Sequence, residues 1–540
     1  MSRAWSSGLV GATFIWAAAC LILLYCVTLA VYRVFFHPLA GYPGPFFAKL
    51  TDWYGGYNAM MMQLHLATYD DFQRYGPIVR YGPNKLLFNS ATALKSIYVD
   101  HRIPKAGAYM CTLRLTRDQN TWSAVDRGTH RSRRKMVSAA LAESFIDRFE
   151  PTLLGEINTC LSIILSACQQ PTISPLDMTT LMCHLTLDIT SQLTVGYRTK
   201  TQTAKTCRFI AGEITTAEYL SNLFIQLPFL AQPWLVSPIC HLFRLKQRMS
   251  MFKWLQDAVE ARVSDPSNAK YDMYHAVMDR KGGQGPESIS PDLLRSEGLL
   301  FYIAVKGAGT ASTALSALLF YLSRHASCYE RLAFEIRSTF SCGVDIHTGK
   351  TLSSCRYLKA CIDEALRMSP PLPGILWREV QGESRRHTDP LTVDGHVIPP
   401  GTQVGVCTYA IHHNPSYFSD PFSFCPERWL DLNLSEHQPQ AFAPFSLGHR
   451  SCPGKHLAYT EISLTMAKLL WYFDFERIEG PLGDLGGGKS GRKGHRGRVD
   501  EFQLYDIFAS AHQGPLLSFR TREEYWTELD PIKACVTPNY

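Results

Sequence analysis

The chain has 540 residues, more than one ordinary core of about 100 to 200 residues needs, yet within reach of a large single-domain enzyme. Hydrophobic residues make up 46%, charged residues 19% and aromatics 12%, which excludes a disordered chain and supplies ample apolar area for a packed interior. The net charge is +7, of which residues 480–498 carry +4 (five cations, one anion), so +3 is spread over all the rest and a broad nucleic-acid surface is excluded.

From Ala4 to Tyr32 there is no charge. The apolar part, residues 8–32, would rise about 37 Å as a helix, enough to cross a hydrocarbon layer of about 30 Å. A cleaved secretory signal has an apolar region of only about 7 to 15 residues, whereas this one runs on through Leu21, Ile22, Leu23 and Leu24. The reading is a single transmembrane anchor. Arg3 before it and Arg33 and Lys49 after it nearly balance, so flanking charge leaves the orientation open. Residues 33–50 contain His37-Pro38-Leu39-Ala40-Gly41-Tyr42-Pro43-Gly44-Pro45, where prolines and glycines end the helix and predict a hinge.

Residues 51–540 read as one large, mostly helical domain with short strands, such as Ile78 to Tyr81 and Leu86 to Asn89. In His130-Arg131-Ser132-Arg133-Arg134 the first and last residues share a helical face. The longest expected helix runs from Pro291 to His325, opened by Ser290-Pro291. The 16 cysteines are scattered, unlike a secreted disulfide framework, and fit a reducing compartment.

One cysteine stands apart, in Phe445-Ser446-Leu447-Gly448-His449-Arg450-Ser451-Cys452-Pro453-Gly454. It sits in a Gly- and Pro-rich loop beside Arg450 and before a helical run from Lys455 to Tyr472, where cations and a helix N-terminus favour a thiolate able to ligate iron. The plain alternative is a small buried hydrophobe.

With this loop the chain resembles the cytochrome P-450 family of haem-thiolate monooxygenases, over nearly its whole length. The resemblance implies a mainly α fold with small β-sheets behind one transmembrane helix. It implies haem b with Cys452 as the axial iron ligand, Phe445 beside the sulfur, Gly448 and Gly454 shaping the loop, and Arg450 on a haem propionate. Thiolate ligation pushes electron density toward iron and favours O–O cleavage.

Glu364-Ala365-Leu366-Arg367 matches the family's ExxR motif, with both ends on one helical face. Glu383-Ser384-Arg385-Arg386 matches it too, but order favours the first, which precedes Phe422 to Trp429, a segment resembling the family's PERF motif, and then Cys452. By resemblance Glu364, Arg367 and Arg428 brace the haem-binding core, the rival being a surface salt bridge. His130, Arg134 and Arg378 fall where the family meets haem propionates; a solvated basic face is the alternative for Arg131 and Arg133.

Lys306-Gly307-Ala308-Gly309-Thr310 aligns with the family's AGx[DE]T, which guides protons to oxygen. Thr310 is kept, Gly309 replaces the acid and Lys306 replaces a small residue. Lys306 lies one turn before Thr310, so its ammonium is a candidate proton donor; the alternative is a lysine that snorkels or pairs with an anion.

Gly483 to Ser490 satisfies GxxxxGK[ST]. A phosphate loop needs a strand before it and a helix after it, and Gly491 to Gly497 is a poor helix start, so residues 480–498 are expected to form a flexible, exposed, basic loop. Asn433-Leu434-Ser435 is a glycosylation sequon only in a lumenal domain.

The implied function is insertion of one atom of O2 into a lipophilic small molecule. Electrons would come from NADPH through a cytochrome reductase flavoprotein, with cytochrome b5 as a further partner, at the cytosolic face of the endoplasmic reticulum membrane. The segments Tyr32 to Leu39 and Ile411 to Pro415 resemble fungal microsomal members of secondary metabolism. A haem-thiolate isomerase and a non-enzymatic membrane scaffold remain open at this point. Pocket walls are expected near Ala106 to Trp122, Leu220 to Leu235, the long helix and Ala511 to Leu516, with Phe224, Ile225, Leu227 and Phe229 contributing apolar surface.

Overall fold

The computed structural model describes residues 2–112, 119–171, 174–232, 234–235, 253–254, 257–262, 264, 272–273, 309–381, 390–430 and 440–529. Lys306, the rival ExxR at 383–386 and the sequon at 433–435 lie outside them.

The N-terminal helix Ser2–Val31 continues as a wide turn, Tyr32–Phe36. From Thr13 to Phe36 none of it is buried inside the protein, as in a helix built to meet lipid. A second helix, Glu143–Cys168, is long and apolar enough to span a membrane, but it buries Phe145, Phe149, Leu153, Ile157 and Leu161 in the largest core and is a core helix.

The segment after the anchor is packed, contrary to the expected hinge. Leu39 is fully buried, Arg80 donates from one guanidinium nitrogen to the Arg33 carbonyl at 2.8 Å, and the Arg80 backbone N–H meets the Pro43 carbonyl at 2.7 Å. Prolines that stop a helix also lower the entropic cost of holding an extended strap in place.

A four-stranded sheet lies beside this strap, in the order Ile78–Gly82, Lys85–Phe88, Gln403–Val406, Arg378–Glu379. Its first and last pairs are antiparallel and its middle pair parallel. A smaller sheet joins Leu176–Asp177, Leu516–Thr521 and Phe473–Arg477. Around them, helices Met178–Val195, Thr310–Leu322, Arg356–Met368 and Lys455–Tyr472 pack on one another, burying Leu185, Leu318, Leu366 and Leu469 in one continuous core.

Two expectations change here. Residues 291–308 of the expected long helix lie outside the described residues; Gly309 sits at φ 76° and forms the start of the helix Thr310–Leu322. A Cβ there would lie 1.9 Å from Ser312 Oγ, so only glycine tolerates this left-handed turn. The loop at 480–498 is tied down rather than free. Gly488 and Lys489 donate backbone N–H groups to Arg498 and Arg496, His495 is buried and bonds Asp70 at 2.8 Å, and the Arg498 guanidinium lies 3.4 Å from the centre of the Phe422 ring. These contacts offset the entropy of its glycines.

Candidate functional site

The Cys452 loop is shaped by its backbone. Cys452 N–H bonds the Phe445 carbonyl at 2.8 Å, and Ser446 and Gly448 both take positive φ. At Gly448 a side chain would strike the Tyr98 carbonyl at 2.3 Å, so this glycine serves the close passage of the loop past its neighbour and does not line the cavity. Lys455–Tyr472 follows as a helix with the bounds its sequence predicts.

Cys452 opens onto a cavity of about 330 Å³ that Phe445, Gly454, His130, Arg134, Arg378, Arg450 and Thr310 also line. The surrounding protein encloses the sulfur, and this raises the thiol above its ordinary value despite the Gly454 N–H and the Arg134 charge, which pull the other way. Of the cations near this loop, Arg134 rather than Arg450 is the one that favours the thiolate.

A girdle of cations surrounds the cavity near Cys452. Arg134 donates to the Ser451 carbonyl at 2.5 Å. Arg450 donates to Ala124 and Val125 carbonyls at 2.6 and 2.8 Å, leaving its Nε enclosed and unpaired. Arg378, on its sheet strand, has two enclosed nitrogens without a partner. Lys105 donates to the Trp122 carbonyl at 2.8 Å and lies 3.3 Å from the centre of the Trp122 ring. Burial and the neighbouring charges lower Lys105 and take His130 down to about 3 and His449 to about 4. Orphaned buried donors of this kind demand an anion. The two carboxylates of a haem, with its iron at the sulfur, fit that demand. Arg131 is exposed and Arg133 bonds the Gln119 carbonyl.

Glu364, Arg367 and Arg428 come together as expected, but away from the cavity wall. Arg367 grips both Glu364 oxygens at 2.8 and 2.9 Å, and Arg428, Trp429 and the Cys425 N–H add bonds at 2.9 to 3.0 Å. Both members of the central pair are 0% exposed, which removes the surface-pair alternative. Burial alone would raise the Glu364 carboxyl, yet Arg367 and Arg428 hold it below its ordinary value. The cluster lies off the cavity and ties the helix Arg356–Met368 to the segment from Pro421 to Trp429.

On the opposite wall Thr310 begins its helix, and Ser312 Oγ donates to the Gly309 carbonyl at 2.9 Å. Ile225 lines the cavity as expected, but Phe229 faces outward and the final loop contributes Phe508 and Ala509 rather than 511–516. Sequence reasoning missed Lys105, Phe508, Thr186, Thr190 and Glu218 among the residues that line the cavity, none of which sits in a motif. It also assigned no role to His449, although this residue adjoins Arg450 in the loop. Phe508 stands at φ 97°, its N–H held by Asp506, a strained position on the cavity wall.

The family model for Cytochrome P450 matches residues 40–482. The chain is a cytochrome P450. Among relatives of this P450 are "Cytochrome P450 monooxygenase AKT7" of Alternaria alternata, 33% identical over 93% of this chain and 96% of the relative, and "Cytochrome P450 monooxygenase poxM" of Penicillium oxalicum, 33% identical over 92% and 93%. "Cytochrome P450 monooxygenase apf7" of Gibberella fujikuroi is 34% identical over 93% and 97%. The P450 is thus an oxidoreductase monooxygenase of the haem-thiolate kind, with a membrane-anchoring helix at its N-terminus. Its family takes electrons from a reductase and acts on lipophilic substrates.

Proposed function

We propose that this P450 oxidises a lipophilic small molecule of fungal secondary metabolism at the cytosolic face of the endoplasmic reticulum, fed by an NADPH-cytochrome reductase flavoprotein with cytochrome b5 as an auxiliary donor. Residues 8–32 anchor it, 33–50 strap it to the membrane side and 51–540 form the catalytic domain. The observation that carries the reading is one cavity holding both the Cys452 sulfur and the unpaired nitrogens of Arg378 and Arg450.

Haem b, bound through Cys452, supplies the oxygen-activating chemistry. Cys452 would be held as the deprotonated ligand, with Arg134 offsetting the charge on its sulfur. Arg378, Arg450 and Lys105 would receive the haem carboxylates, with His130 and His449 as neutral donors. The Thr310 hydroxyl stands on the substrate side, where it holds and passes a proton; Gly309 leaves that task without the family's carboxylate. The apolar wall, with Ile225, Ala314 and Phe508, excludes water and orients the substrate.

Cys452→Ser tests the reading. It should abolish the red-shifted thiolate band of the reduced carbon monoxide complex while the chain stays folded by circular dichroism; a retained band would overturn the ligand assignment. The missing acid at Gly309 favours a second reading, a rearrangement that uses the same Cys452. Product analysis under isotopic O2 separates the two, since a rearrangement leaves the label out.

A further inference from the structure

Glu218 sits in the helix Phe209–Gln226, only 7% exposed, on the wall of the cavity across which Thr310 and Phe508 also project. Its Oε2 is enclosed and has no hydrogen-bond partner. Among the described residues no cation answers it, and burial alone raises its carboxyl well above the ordinary value. The elements packed against this helix bring Tyr54, Tyr57, Tyr109, Tyr505 and Asp506 as titratable groups; Asp506 is engaged by Asn222 at 3.1 Å, and the cation Lys85, which donates to the Gln226 carbonyl at 3.1 Å at the far end of the helix, is paired with Asp52 at 3.0 Å. The helix itself adds Glu213 and Tyr219. The cavity's own cations, Arg134, Arg378, Arg450 and Lys105, lie with the cysteine loop, where haem carboxylates would balance them. Glu461, the other carboxyl on the wall, belongs to the helix that follows Cys452.

A buried carboxyl without a partner costs about 1 to 3 kcal/mol, and an apolar wall gains nothing by keeping one unless a ligand completes it. A neutral acceptor would give it one ordinary hydrogen bond. A cation gives a charge-assisted contact about twice as strong, in a medium where water competes poorly. The same carboxyl disfavours carboxylate substrates. We infer that Glu218 is a specificity-determining group of this cavity and selects lipophilic substrates that carry a cationic nitrogen. When such a substrate binds, the Glu218 carboxylate pairs with the incoming cation and the proton held by its protonated fraction passes to the buffer, so charge and protons balance. The inference rests on the P450 reading of the cavity.

The test uses the full-length, haem-loaded protein in lipid nanodiscs, titrated calorimetrically with three octyl-chain probes: octyltrimethylammonium, octanol and octanoate. The quaternary cation cannot ligate iron through nitrogen, so it reports charge alone. We expect it to bind about tenfold more tightly than octanol, with octanoate weakest, and to release protons as it binds, read from heats in buffers of different ionisation enthalpy. Glu218→Gln should abolish both the preference and the release. Equal affinity for ammonium and alcohol in the native chain, absence of proton release, or a preference that survives Glu218→Gln overturns the inference. Pre-existing balance of Glu218 by Lys306 would show as the first two of these. The reduced carbon monoxide spectrum of the same samples separates the two readings. An intact thiolate band without an ammonium preference overturns the role of Glu218 alone, whereas a missing band in the native chain overturns the reading of the site.

Discussion

His412 Nε2 accepts the backbone N–H of Ala443 at 3.0 Å, while its Nδ1 donates to the Arg367 carbonyl at 3.2 Å. The ring thereby ties the helix of the Glu364 pair to the chain that leads into the cysteine loop. Only neutral imidazole makes both bonds, because protonation turns Nε2 into a donor facing another donor.

Burial, and then the Arg367 charge, lower His412 to about 3 from an ordinary value of 6.5. Below pH 6.5 the unfolded chain binds a proton that the native one refuses, so this contribution to stability is full above pH 6.5 and is lost as pH falls toward 3. Urea unfolding at pH 6.5 and 5.5 should show the native chain losing about 1 kcal/mol that a His412→Phe variant does not lose. Equal losses would show that the ring titrates normally.

Removing one partner of the Glu364 and Arg367 pair strands the other as an uncompensated buried charge. Glu364→Ala should destabilise the protein by about 3 to 5 kcal/mol and cut the yield of haem-loaded protein, measured by thermal unfolding and by the carbon monoxide difference spectrum. Arg331→Ala, which breaks the exposed pair with Glu427, should cost under about 1 kcal/mol.

Gly309→Ala places a methyl group on Ser312 Oγ in a left-handed turn and should cost about 1 to 3 kcal/mol. Gly309→Asp, which restores the family's acid, carries the same steric cost and should not improve coupling. Thr310→Ala keeps the fold and should raise peroxide released per NADPH consumed. Unchanged coupling in Thr310→Ala would remove this hydroxyl from proton delivery and strengthen the rearrangement reading.

Cutting the chain just before Tyr32 removes exposed helix and leaves Arg80 bonded to the Arg33 carbonyl. Cutting before Pro43 also removes Leu39 and leaves a buried Arg80 nitrogen without its acceptor. The shorter product should be less stable by about 2 to 4 kcal/mol in thermal unfolding. Both should keep some affinity for lipid vesicles, because Phe46, Phe47, Trp53 and Phe229 stay exposed, as does Trp234 at 72%.

What could be read from the chain was whatever is local or ordered along it. Cys452, the Glu364 and Arg367 spacing, the helix from Lys455, the strand at Arg378 and the uncharged anchor all depend on near neighbours or on the sequence of motifs. Contacts between distant segments were not legible. His495 finds Asp70 across 425 positions, and nothing in a run of glycines announces that partner. Lys105 and Glu218 reach the cavity only because the fold brings their elements there. The left-handed turn at Gly309 depends on Ser312 and on the close approach of Thr186, a crowding that helical periodicity does not encode.

The bond from Arg80 to the Arg33 carbonyl, with Leu39 locked beneath it, makes the junction between anchor and domain a fixed joint. A loose tether would let the domain hold any attitude above the bilayer; a fixed joint transmits the lean of the helix to the whole body. Hydrophobic stretches adapt to thicker or thinner bilayers by changing their lean. The height of the exposed Trp53 and Phe229 rings relative to the anchor would therefore follow lipid chain length.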